Sequence, residues 1–209
     1  MRPAAVDLFC GGGGASKGLQ DAGYAVTGVD IAPQRHYPYP IIITDALTLD
    51  PEWLGSFALV WASPPCQRFG KTARQHGTDT SWPDLVGDTR TLLGLAGVPS
   101  VMENLTAAPL RQDLMLCGGM FGLRLARHRT FEIHGFQVTQ PRHRDHAPDV
   151  VTVTGHTGGV STRDGTQLRG TIQDWRDAMG IHWLPSRKLS QAVPLAFSHH
   201  IARAARKQS

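Results

Sequence analysis

The chain has 209 residues, a formal charge of +4 at neutral pH and three cysteines. That length accommodates one domain with a sizeable core and leaves no room for a second large one. No apolar run approaches the ~18 residues of a membrane span and no basic-then-apolar leader opens the chain, so a soluble, cytoplasmic protein with no membrane partner is expected.

A reducing compartment suits the cysteines, because Cys10, Cys66 and Cys117 are odd in number, widely spaced and free of any Cys-x-x-Cys pairing. A pI near 9.3 favours a polyanionic partner. The positive charge is concentrated: Arg124, Arg127, Arg129, Arg142 and Arg144 lie with His128, His134 and His143, and His146 just beyond, and Glu132 is the single acidic residue between 124 and 144. Such a stretch reads either as a phosphate-facing surface or as a solvated basic loop.

In chain order, apolar runs predict strands over residues 4–8, 25–29, 41–44, 57–62 and 98–102. Helix-like stretches alternate with them, the pattern of an α/β fold with a parallel sheet. The first helix is expected at 15–22, after the turn Gly11-Gly12-Gly13-Gly14. Another is expected at 82–95, with Asp84 as cap, Leu85, Thr89, Leu92 and Leu93 as its apolar face, and Gly94 and Gly97-Val98-Pro99 ending it. A further strand starts at Thr130-Phe131-Glu132-Ile133, beyond the turn Gly118-Gly119. Residues 135–170 then shift to histidine, arginine, glycine and threonine, too poor in large apolar residues for a core of their own. They read as a small recognition segment carrying one strand at 150–154 and a glycine-rich loop after it. Helices return at 171–179 and 190–206. The domain plan is a core over 1–134, the recognition segment over 135–170, and C-terminal helices over 171–209 that return to the core.

Four features carry chemistry. The tetraglycine turn lets a ligand approach the backbone and turns helix-start amides toward a carboxylate or phosphate, though a bare strand-to-helix connection looks the same. It lacks the Gly-Lys-Ser/Thr ending of a phosphate loop. Asp30 ends the next strand, where a carboxylate can accept both ribose hydroxyls, and Asp45 ends the third in the same way. Ser63-Pro64-Pro65-Cys66-Gln67 follows the run at 57–62 and holds a cysteine on a proline-stiffened loop at the end of a buried strand. Most free cysteines are buried and inert, but this placement suits a nucleophile. Cys10 and Cys117 read as packing residues. The loop at 68–80, with Lys71, Arg74 and His76, reads as a cover for a bound base or as ordinary surface. His143 and His146, with His156 further on, have no cysteine or acidic partner at ligand spacing and read as polar surface, with no metal site.

Together these segments resemble the cytosine-C5 methyltransferases. Phe9, Gly11, Gly13 and Gly14 match the family's Phe-x-Gly-x-Gly-Gly motif, Pro65-Cys66-Gln67 its Pro-Cys-Gln, and Glu103-Asn104-Leu105 its Glu-Asn-Val. Arg127 and Arg129 stand at the arginines of its Gln-x-Arg-x-Arg, with Leu125 in place of the glutamine. Ser190-Gln191-Ala192-Val193-Pro194 resembles its Gly-Asn-Ala-Val-Pro. The likeness spans 7–131 well and 188–201 modestly, leaving 135–170 unmatched.

The resemblance implies the Rossmann-like fold of S-adenosylmethionine-dependent methyltransferases, a mostly parallel sheet, S-adenosylmethionine as cofactor and DNA as partner, with a cognate restriction endonuclease or a helper subunit as further partners. It implies that Asp7, Phe9, Gly11, Gly13, Gly14, Asp30, Ile31, Asp45, Ala46, Pro64, Gln191, Ala192 and Val193 hold the cofactor, Phe9 by the adenine, Asp30 at the ribose and Asp45 at the adenine amino group. Cys66 would add to C6 of cytosine and convert an unreactive ring into an enamine. Glu103 would meet N3 and the exocyclic amine, and Arg127 and Arg129 would orient Glu103 and hold the base or its phosphate. Ser63, Pro65, Gln67, Asn104, Lys71 and Arg74 would contact the flipped base. The family carries a much larger recognition region at this place, so few base contacts and a short or relaxed target site are expected. The same catalytic set occurs in tRNA cytosine methyltransferases, which leaves RNA or a nucleotide open as acceptor. A catalytically idle nucleic-acid-binding relative is the reading from another class, opposed by the intact Cys66 and Glu103.

Overall fold

The structure is a computed structural model that describes residues 1–70, 77, 81–143, 146, 150–155, 157–158 and 170–208. Among the described residues a seven-stranded sheet forms from β1 (Ala4–Leu8), β2 (Ala25–Asp30), β3 (Ile41–Ile43), β4 (Leu59–Ala62), β5 (Ser100–Asn104), β6 (Leu114–Cys117) and β7 (His128–His134). Its order is β3-β2-β1-β4-β5-β7-β6, with the first five parallel and β7 antiparallel to both neighbours. The chain steps outward from β1 to β3, then crosses back to β4 and β5. The order therefore reverses between β1 and β4, and a crevice opens at their carboxyl ends, the ligand position of open α/β sheets.

The helices are α1 (Gly14–Asp21), α2 (Pro51–Gly55), α3 (Val86–Ala96), α4 (Ile172–Met179), α5 (Ser186–Leu189) and α6 (Leu195–Arg206). Strand alternation divides the core into two layers. Ala5, Leu59, Trp61, Val101 and Phe131 pack with Leu19 of α1 and Phe197 and Ile201 of α6. Val6, Leu8, Val60 and Met102 pack on the other face with Leu54 of α2 and Leu92 and Leu93 of α3. The α1–α6 contact is backbone to backbone: a Cβ on Gly18 would lie 2.0 Å from Ser198 Oγ and 2.4 Å from the Leu195 carbonyl, and one on Gly14 would lie 2.4 Å from the Val193 carbonyl. The turn glycines and their helix thus serve this approach as much as any ligand. Glu132, fully buried on β7, takes Arg90 Nε and Nη2 at 2.8 Å each and the Arg111 N–H at 2.9 Å. Burial pushes its pKa up, but Arg90, the Arg111 amide and His134 together outweigh burial and hold it at about 2.

Several elements depart from expectation. The second long helix starts at Val86 instead of 82, because Pro83 disfavours helical backbone in the residue before it; Asp84 Oδ1 still accepts the Val86 N–H at 3.1 Å. The expected 190–206 helix starts only at Leu195, as α6; residues 190–194 form the turn between it and the short α5, ending at Pro194, whose ring supplies no N–H to continue a helix but can open one. No strand spans 150–154; a single bridge joins Val151 to Leu125. Val151 and Val153 are buried and Thr152 and Thr154 less so, the alternation of a strand, but beyond that bridge no described strand pairs with them. Val151 and Val153 join Leu125, Trp175, Met179, Leu184 and Leu189 in a third cluster, so this segment shares a core with the C-terminal helices. β6 was not expected at all, being four residues between a loop and a glycine turn. No helix among the described residues is long and apolar enough to cross a membrane.

Candidate active site

A cavity occupies the crevice. Its wall is built from Asp7, Phe9 and the glycine turn after β1, Asp30 and Ile31 after β2, Ser63, Pro64, Pro65, Cys66 and Gln67 after β4, Glu103 of β5, Arg129 of β7, and Gln191, Ala192 and Val193 between α5 and α6. The break of the C-terminal helix at Pro194 is what frees those last three residues to reach it.

On the glycine-turn side, Phe9 adopts φ 58°, a left-handed backbone that a non-glycine residue holds at a cost of about 1–3 kcal/mol. Asp30 is fixed by two amides: Gly11 N–H donates to Oδ2 at 3.0 Å and Ala32 N–H to Oδ1 at 3.1 Å. Each oxygen keeps acceptor capacity beyond that bond, and Asp30 lines the cavity. Ile31 beside it leaves an apolar side chain open at the rim, 73% exposed. Asp7 is buried; its Oδ2 accepts from Ser16 Oγ, which also pairs with the Tyr37 hydroxyl at 2.8 Å, while Oδ1 has no hydrogen-bond partner among the described residues. Burial pushes the Asp7 carboxyl up to about 7.

Three residues assigned to the cofactor by the resemblance do not line this cavity. Gly13 (φ 81°) turns the chain into α1 with the Tyr37 ring 3.0 Å from its Cβ position. Asp45 Oδ1 accepts the Leu47 N–H at 3.0 Å and caps the 3-10 turn Ala46–Thr48, and Ala46 is buried in the core behind it. Both follow β3, the edge strand of the sheet, two strands away from the β1–β4 reversal.

On the other side, Cys66 is half-buried and opens the 3-10 turn Gln67–Phe69. Glu103 lies on the same wall, its Oε1 ion-paired with Arg129 Nε at 2.8 Å. Burial and the Glu103 charge push the Cys66 thiol up, with Arg129 and Arg127 opposing them. The Trp61 indole N–H donates to Ser63 Oγ at 3.0 Å and stiffens the loop.

Two assignments change. Asn104, expected at the substrate, is buried and donates through Nδ2 to the Pro64 carbonyl at 3.0 Å, tying the end of β5 to the proline loop. Arg127, expected to orient Glu103 or hold the base, instead donates to the carbonyls of Val153 (2.9 Å), Ser190 (2.9 Å) and Ala192 (3.0 Å). It anchors the Gln191 wall of the cavity. Lys71 and Arg74, with His76, Arg144 and His156, lie outside the described residues.

The wall also includes Cys10, Gly12, Gln34 and Lys188. Lys188 Nζ donates to Gln34 Oε1 at 3.0 Å across the rim, a pairing between distant residues for which the sequence carries no signal. The histidine reading changes as well: His143 and His146 do have a cysteine partner, because folding brings Cys117 and His128 to them.

No family model and no curated protein matches the sequence. In fold the chain is similar to the methyltransferase EhMeth of Entamoeba histolytica, at 10% identity and a TM-score of 0.64 over 99% of this chain and 98% of that one. It is similar too to a DNMT2 mutant of Spodoptera frugiperda (12% identity, TM-score 0.61, 97% and 99% covered) and to the Dnmt2 methyltransferase of S. pombe (14%, 0.59, 99% and 99%). The fold is the Rossmann-like α/β fold of methyltransferases.

Proposed function

From a methyltransferase-type fold with a cysteine and a carboxylate on one cavity wall, we propose that this chain transfers a methyl group from S-adenosylmethionine to C5 of cytosine in DNA. The observation that carries the reading is the joint placement of Cys66 and the Arg129-paired Glu103 in the cavity that also holds Asp7, Asp30 and the glycine turn.

The residues present fit the cofactor. A buried Asp7 oxygen without a donor calls for an N–H or cationic group in the cavity, Asp30 keeps lone pairs for a diol, and Phe9 and Ile31 offer apolar surface. S-adenosylmethionine, when bound, supplies the electrophilic methyl group. Cys66 loses its proton and its sulfur forms a bond to C6, which moves the C5–C6 electrons toward N3 and makes C5 nucleophilic. Glu103 is the group placed to share a proton with N3 and accept a hydrogen bond from the exocyclic amine, and Arg129 fixes its orientation. Once C5 carries the methyl group, loss of the C5 proton and expulsion of the Cys66 thiolate restore the aromatic ring. Asn104 keeps the nucleophile loop and the carboxylate strand in register through Pro64.

DNA is favoured by the basic residues around β7 and by residues 135–170 as a reduced recognition segment. Drawing the base from a duplex costs a few kcal/mol. The test is DNA bearing 5-fluorocytosine, whose C5 fluorine cannot leave, so that with S-adenosylmethionine the adduct stays on the protein. A denaturation-resistant complex lost in Cys66→Ser is expected. Fluorinated RNA or nucleotide forming the adduct in place of DNA would move the substrate; no adduct with any acceptor would end the reading.

A further inference from the structure

The β6–β7 hairpin pairs Cys117 directly with His128 across its strands. Alternation along β7 sends His128 to the face opposite Arg129, so this pair stands apart from the cavity that Arg129 and Glu103 line. Two histidines from the following segment complete a group: His128 Nε2 lies 3.2 Å from His143 Nε2, and Cys117 Sγ lies 3.6 Å from His146 Nε2. One ligand atom from each of the four lies within 4.8 Å of the others. The His128 and His143 rings stack at 5.4 Å, and His146 meets both edge-on.

We infer that Cys117, His128, His143 and His146 form a structural zinc site that fastens the start of the recognition segment to the β6–β7 hairpin. Zinc holds imidazole nitrogen at about 2.0–2.1 Å and thiolate sulfur at about 2.3 Å in a tetrahedron, whose edges are then about 3.3 Å between nitrogens and about 3.6 Å between sulfur and nitrogen. Two opposite edges of the group already have those lengths. The remaining edges close by small side-chain rotations. Four protein ligands fill the coordination shell, so the metal has a structural role, with no open position for water or substrate. Burial pushes the Cys117 thiol up in the metal-free protein; binding replaces its proton by zinc and releases one proton to solvent. Such a clamp anchors the stretch between Val138, which packs against the first cluster, and Val151 of the third, a stretch whose described residues join neither cluster. The spacing, Cys-x10-His-x14-His-x2-His, escapes a search for paired short motifs because the hairpin supplies the first two ligands.

The test uses the full chain without an affinity tag of histidines. Elemental analysis after gel filtration is expected to give one zinc per chain. Cobalt added after zinc removal is expected to show tetrahedral visible bands and a thiolate charge-transfer band. Cys117→Ser should lose the charge-transfer band, His143→Gln/His146→Gln should bind no metal after gel filtration, and Cys66→Ser should retain one metal with both spectral features. If Cys117→Ser fails to fold, the double histidine variant, which leaves the hairpin residues in place, carries the test alone. Protein without zinc whose cobalt spectrum lacks a thiolate band, or metal content unaffected by the histidine changes, would reduce the group to a hydrogen-bonded cluster and overturn the site.

Discussion

Arg127→Met separates two roles for a residue that the motif pattern pairs with Arg129. The buried guanidinium makes three hydrogen bonds to carbonyls 26, 63 and 65 residues away. Bonds from a charged donor contribute about 1.5–3 kcal/mol each. Against this, burial and then the neighbouring Arg129 lower its pKa from 12.5 to about 9. The sign is unfavourable at pH 7, which lies below the folded value: the side chain is charged in both states, and the shift costs about 5 kcal/mol at about 1.36 kcal/mol per unit. The two nearly offset, so removing them together should destabilise by only about 1–3 kcal/mol, mostly from carbonyls left without donors. The larger effect should fall on the cavity, whose Gln191 and Ala192 wall loses its anchor. Urea unfolding should show the modest loss, and calorimetry should show S-adenosylmethionine binding weakened about tenfold, equivalent to about 1.4 kcal/mol. Under the proposed activity kcat should hold within about twofold, whereas Arg129→Met, which unpairs Glu103, should lower kcat by about 10²-fold or more. Unchanged cofactor affinity with a collapse of kcat in Arg127→Met would mean that the residue touches the base, and the anchoring role would be wrong.

Two further outcomes follow. Because burial and Glu103 raise the Cys66 thiol above its ordinary 9.0, the thiolate fraction grows tenfold per pH unit below that value, so kcat/KM should climb by about that factor per unit between about pH 7 and 9; a flat profile would contradict thiolate formation as the limiting ionisation. Gly18→Ala puts a methyl group against Ser198 Oγ and the Leu195 carbonyl, so α1 and α6 must separate at about 1–3 kcal/mol, and adding Ser198→Ala should recover only part of it; an unshifted denaturation midpoint would deny the close approach.

The strands that hold the site were legible because each is a short run of apolar residues punctuated by glycine, proline or aspartate, and those signals act within a few residues. The expected ends of β1 match the observed ones, and the Pro64-Pro65 loop follows β4 where the motif put it. Where a proline restricts a helix, at Pro83 and Pro194, the boundary was present in the sequence but outweighed in reading by apolar periodicity. β6 was not legible, and the strand expected at 150–154 is reduced to one bridge, since a short apolar run becomes strand or stays a core segment only through what packs and pairs with it.

By itself, the sequence determined an α/β chain whose glycine turn, proline-held cysteine and Glu-Asn pair each terminate a strand, because backbone restrictions and residue periodicity are local properties. Only the tertiary structure decided that Cys66 and Glu103 line one cavity, that Arg129 and not Arg127 pairs with Glu103, that Asp45 caps a turn outside the cavity lining, and that Cys117 meets three histidines. Those outcomes depend on which strands become neighbours, on hairpin register and on the alternation of side chains across a sheet, and pairings between residues tens of positions apart leave no trace in local spacing.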